Sequence, residues 1–280
     1  MKKILCPIDF SEASLNALSY AQVIAEKYQT SLTLLNIFTD NEFDELLQSD
    51  DVDHEISKKT EIAEQKLKQL ADTINKNSKS KGLTYCDFQL RFGKLIPSVS
   101  DHIKEHKNQL IVMGTSGFGG QKEGKMGSNT ATMIEKVSAN VLCIPYGKSY
   151  EDFSDIIYGS DYYEEDKIAI RNLVSFATLF KSNIKILHIT ASQENEAKND
   201  LDQFRKSIET FISYPQMTYS ICESNDELKG LQEYAKKNNV DLIVLLKINM
   251  SFLYNLFHDS LTKKMTYFSD FPLLVLKNID

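Results

Sequence analysis

Residues 111–130 read IVMGTSGFGGQKEGKMGSNT, and residues 243–262 read IVLLKINMSFLYNLFHDSLT. The two stretches align without a gap. Each opens with a continuous apolar run of the kind that forms a strand buried on both faces. In the first, a glycine-rich loop leads to a helix opening at Ser128. In the second, the same span holds MSFLYNLF, with bulky side chains where glycines stood. One element of a fold has been written twice, once with its backbone bared and once without.

Strands and helices alternate outward from the first stretch. Lys3–Pro7 is a short apolar run, and Ala13–Tyr28 has helical spacing through Leu15, Leu18, Ala21, Val23 and Ala25. Ser31–Phe38 is a second buried strand. A polar stretch follows, in which Asp50–Glu55 reads as a solvated loop. It leads to a helix from about His54 to Asn77, striped by Ile62, Leu67, Leu70 and Ile74. Leu83–Leu90 alternates apolar and polar residues, and Pro97 suits the first turn of another helix. Gln109–Met113, a helix over Ser128–Val137 and the strand Val141–Pro145 close the first half. Such alternation predicts a parallel sheet with helices on both faces.

After a boundary at Gly147–Asp155 the pattern restarts. Ser154–Ser160, Glu164–Phe180 and Ile184–Thr190 repeat the first strand, helix and strand. Met217–Cys222, Asn225–Asn238, Asp241–Leu246 and Leu273–Leu276 supply the rest. The expected architecture is α/β, with two tandem doubly wound domains at residues 1–147 and 153–280. A length of 280 residues suits two such domains.

Composition narrows the function. A net charge of −7 disfavours nucleic acid, whose backbone demands a basic face. Residues 1–148 hold 18 basic and 19 acidic side chains, against 14 and 20 in residues 149–280, so the first half is the better host for a polyanion. The start, MKKILCPIDF, is too short in apolar residues for a secretory leader, and no window is apolar enough to span a bilayer, so a cytoplasmic protein without a membrane partner is expected. Cys6, Cys86, Cys143 and Cys222 fall in strands without paired spacing and read as buried thiols.

The chemistry concentrates at Gly114-Thr115-Ser116-Gly117, followed after nine residues by Gly127-Ser128. Ligands of parallel sheets gather at the carboxyl ends of strands. Glycines there let amides approach phosphate, and Ser128 and Asn129 open a helix whose free N–H groups favour an anion. Lys122 and Lys125 lie in the loop. This spacing resembles the ATP-binding signature of the universal stress protein family, and ILCPIDFSEAS resembles that family's first strand and turn.

The resemblance implies a five-stranded sheet in the order 3-2-1-4-5, with ATP, alone or with magnesium, across strands 1, 2 and 4. AMP or cyclic AMP is a second choice. Pro7, Ile8 and Asp9 would lie by the nucleoside, and the backbone of Ile37 would read adenine. Met113 and Gly114 would neighbour the ribose, with Gly117, Gly127, Ser128 and Asn129 on the phosphates and the loop from Thr115 ordered by the nucleotide. Where the family often has histidine, this chain has Asn36. Family precedent also implies a pseudo-dimer of the two halves, with further homodimerisation and an unidentified protein partner left open.

The second copy exchanges Gly114, Gly117 and Gly127 for Leu246, Asn249 and Asp259, keeping only Ser128 as Ser260. Loss of nucleotide binding there is expected, with Asp161 retained as a structural cap. GGQKEGKM at 119–126 misses a P-loop because Met126 replaces the hydroxyl that holds magnesium. His102-Ile103-Lys104-Glu105-His106 fits an inverted zinc-protease pattern but lacks a third ligand. With neither a hydrolytic base nor an arginine finger in view, a regulatory stress-response role is expected, with a nucleotide-free scaffold or a slow ATP hydrolase as alternatives.

Overall fold

A computed structural model describes residues 3–39, 51–79, 85–107, 109–115, 128–191, 194–247 and 270–277. They fall into two compact units, up to residue 148 and from residue 149 on. The first contains β1 (Lys3–Pro7), α1 (Glu12–Tyr28), β2 (Ser31–Phe38), α2 (Val52–Lys79) and β3 (Cys86–Phe92). It continues with α3 (Leu95–His106), β4 (Leu110–Gly114), α4 (Ser128–Lys136) and β5 (Asn140–Ile144). Its strands are all parallel in the order β3-β2-β1-β4-β5. Successive residues Ile4, Leu5 and Cys6 are all fully buried. Successive side chains of a strand point to opposite faces, so both faces of β1 are covered.

The second unit contains β6 (Asp155–Gly159), α5 (Asp166–Phe180), β7 (Asn183–Thr190), α6 (Glu194–Glu209) and β8 (Met217–Glu223), then α7 (Glu227–Lys237), β9 (Leu242–Leu246) and β10 (Leu273–Leu276). Its parallel order, β8-β7-β6-β9-β10, is the same arrangement. The duplication reaches the backbone. Among the described residues, six non-glycine residues have positive φ, and they form three matched pairs. Phe10 matches Tyr162 and Gln29 matches Lys181 at one sequence spacing; Lys107 matches Asn239 at the spacing that aligns Ile111 with Ile243. A left-handed residue is costly unless the surroundings demand it, so both copies have kept the same turns.

Helix boundaries follow from caps. Ser11 accepts from the Ser14 N–H to open α1, and left-handed Gln29 closes it by donating to the Ala25 and Glu26 carbonyls. The acidic segment read as a loop is helical from Val52. Asp51 Oδ1 accepts from the His54 N–H, and Asp53 and Glu55 favour the positive end of the helix. The buried stripe of α2 is Ala63, Leu67, Ala71 and Ile74, and Ile62 is 44% exposed. Helix α6 lies in a stretch not assigned from sequence; it buries Ala197, Phe204 and Ile208. Cys6, Cys86 and Cys143 are buried free thiols and Cys222 is half-buried.

Candidate functional site

In the first unit the crossover from β1 runs to β2 on one side, while β4 lies on the other. Their carboxyl ends diverge around a switch point, where a crevice forms in sheets of this class. Pro7, Ile8 and Asp9 leave β1 here, Ile37 lies near the end of β2, and Met113 and Gly114 end β4 with Thr115 just beyond it. Exposed Ser128 and Asn129 form the first turn of α4. The topology thus brings nine of the eleven expected residues to one sheet edge. Gly117 and Gly127, with Lys122 and Lys125, lie outside the described residues.

Each wall is fixed locally. The exposed Asp9 carboxylate accepts from Ser11 N–H (3.0 Å) and Ser11 Oγ (2.5 Å), which shapes the turn into α1 around left-handed Phe10. Thr115 N–H donates to the Ile144 carbonyl at 2.9 Å. Thr130 Oγ1 reaches the carbonyls of Gly114 (3.3 Å) and Thr115 (3.4 Å), tying α4 to the end of β4. Gly114 has a packing reason of its own: a Cβ there would lie 2.7 Å from the Ala13 carbonyl oxygen and 2.9 Å from its carbonyl carbon. Its small size is required by α1 whether or not a ligand binds.

The first-turn amides of α4 and the two exposed polar side chains there suit an anion. An exposed carboxylate at the neighbouring strand end suits an amine or hydroxyl donor. This donor set fits a phosphorylated nucleoside.

The matching edge of the second unit differs. Leu246, in the position of Gly114, is buried. Asp161 Oδ1 lies 3.8 Å from His188 Nδ1, and the Tyr162 ring stands 4.4 Å from the His188 ring and 4.8 Å from that of Phe204. The first turn of α5 is organised by Asp166: its carboxylate accepts from Tyr158 O–H (2.5 Å), Ser160 O–H (2.6 Å) and Tyr163 N–H (3.1 Å). Burial holds this carboxyl above its ordinary range despite those three donors. Asn249, Asp259, Ser260 and the 250–257 segment lie outside the described residues.

The two histidines of the zinc-like pattern face β3. His102 is fully buried, its Nδ1 is 3.1 Å from Gln89 Oε1, and Gln89 Nε2 is 3.4 Å from His106 Nε2. One glutamine amide therefore bridges both imidazoles, accepting from one and donating to the other. Arg91 and Glu105 pair beside them. Among the described residues no group of three or more metal-ligating side chains is assembled, and no helix is long and apolar enough to cross a membrane.

Fold and strand order together define a doubly wound α/β protein whose first unit has its switch point between β1 and β4. The model of the universal stress protein family matches residues 1–145, and the chain belongs to that family. No curated protein matches it in sequence. Among solved structures, a universal stress protein from Archaeoglobus fulgidus is 17% identical, with 99% of this chain and 98% of that one covered and a TM-score of 0.75. A functionally unknown protein from Pseudomonas aeruginosa is 16% identical, with 99% and 92% covered and a TM-score of 0.67. These likenesses speak for the fold.

Proposed function

We propose that residues 1–147 bind ATP at the carboxyl edge of β1, β2 and β4, and that the protein is a cytoplasmic, nucleotide-responsive regulator. Residues 153–280 form a degenerate copy that binds none. The observation that carries this reading is that the Asp9 turn, the end of β2 and the first turn of α4 share one sheet edge at the switch point. The spacing of Gly114, Gly117, Gly127 and Ser128 supports it from the sequence side. Asp9 and the Ile37 backbone hold the nucleoside, Met113 and Gly114 flank the ribose, and amides from Thr115 to Asn129 hold the phosphates, with magnesium as counter-ion. In the second unit Leu246 closes the equivalent strand end, and Asp259 would set a carboxylate where the phosphates belong.

The test is a mass spectrum of the small molecule that travels with the purified protein, joined to a thermal shift with ATP. At a hundred times its Kd, a ligand bound only by the folded state stabilises it by about 2.7 kcal/mol. Gly127→Asp should abolish both signals. A chain that carries no nucleotide and is not stabilised by ATP would be the nucleotide-free scaffold instead.

A further inference from the structure

Asn36 is a polar side chain in an apolar strand, only 8% exposed, and its Nδ2 donates to the Ile8 carbonyl at 2.7 Å. The Ile8 N–H donates in turn to the Leu35 carbonyl at 2.9 Å. Both ends of the Ile8 residue, immediately before Asp9, are therefore fixed to β2. The second unit repeats the arrangement with different chemistry. Ser160 N–H donates to Leu187 O at 3.0 Å, and the Ser160 carbonyl accepts from His188 Nδ1 at 2.8 Å. Ser160 and His188 stand to Asp161 as Ile8 and Asn36 stand to Asp9. Two unlike side chains thus make one bond at one place, and a hydrogen-bond donor aimed at that carbonyl is what they share.

We infer that Asn36 is a positioning residue of the nucleotide edge: it clamps the Ile8 carbonyl so that the Asp9 turn is presented at a fixed height beside the end of β2. This rests on the nucleotide reading above and deepens it. The phosphate half of the edge is built separately, through Thr130 and the carbonyls of Gly114 and Thr115. Losing the clamp therefore weakens recognition of the nucleoside and spares that of the phosphates. Histidine substitutes for asparagine because its Nδ1–H serves the same carbonyl, as His188 demonstrates.

The experiment uses the full-length chain and a fluorescent N-methylanthraniloyl-ATP probe, displaced in turn by adenosine and by inorganic tripolyphosphate. Asn36→Ala leaves a buried carbonyl unpaired and should weaken adenosine about tenfold, with tripolyphosphate unchanged. Asn36→His should restore adenosine to within about threefold of the wild type at pH 8, as expected when a donor is regained. Equal losses for both competitors, an Asn36→Ala chain with unaltered adenosine affinity, or a folded Asn36→His chain that fails to bind adenosine would each overturn the clamp. If Asn36→Ala does not fold, the histidine variant alone decides. Failure of the wild type to bind the probe at all would instead remove the nucleotide reading, and the clamp with it.

Discussion

Lowering the pH should unlock the seam between β3 and α3 through His102. The side chain is fully buried, and among the described residues its Nε2 has no hydrogen-bond partner, as is also true of Asp87 Oδ1. Burial, helped by neighbouring His106 and Arg91 and opposed by Glu105 and Asp87, lowers its pKa from 6.5 to about 4. The folded state therefore prefers the neutral ring, while the unfolded chain takes up a proton near pH 6.5. The stability this group contributes is complete above 6.5 and is lost as the pH falls towards 4. At about 1.4 kcal/mol per pH unit, the gap amounts to about 3 kcal/mol.

Two measurements check it: the imidazole C2 proton of His102 followed by NMR from pH 3.5 to 8, and urea unfolding across the same range. His102→Gln should remove about 3 kcal/mol of acid destabilisation between pH 6.5 and 4. An NMR midpoint at or above 6, or identical pH slopes for wild type and variant, would refute the burial argument.

Two substitutions test the packing claims. Gly114→Ala drives a Cβ into the Ala13 backbone and should cost about 1–3 kcal/mol in urea unfolding; an unchanged midpoint would show that α1 yields freely. Asp166→Asn swaps one acceptor oxygen for a donor amid three donors and should cost about 1–3 kcal/mol at pH 7. Because burial raises the Asp166 carboxyl, its contribution to stability improves as the pH falls, and the asparagine variant should lose that gain.

Much of the fold was legible because both sheets are buried on two faces. Runs such as Ile4–Cys6 and Leu110–Met113 then appear as uninterrupted apolar segments. The order of strands came through the family resemblance. Helix α6 escaped because ENEAKNDLDQFRKSIE spends few apolar residues on its buried face. The start of α2 escaped because its acidic residues suit a solvated loop and a helix terminus equally well. At the candidate site, Ser128 stood out through the glycine spacing, while Asp9 came through the family resemblance. The bond from Asn36 could not, since nothing in a sequence says which carbonyl a lone buried amide will find. The packing role of Gly114 was hidden behind the motif it completes.

The tight space between Gly114 and Ala13 bears on any attempt to give the second unit the strand edge of the first. There α5 opens at Asp166, two positions later than the register of α1 would put it, and Leu246 stands where the glycine was. In the first unit a Cβ at Gly114 would run into Ala13 in the first turn of α1, so a later helix start and a larger side chain are compatible changes in the second. Leu246→Gly alone would leave a hole and no cradle. The start of α5 would also have to move back by those two residues.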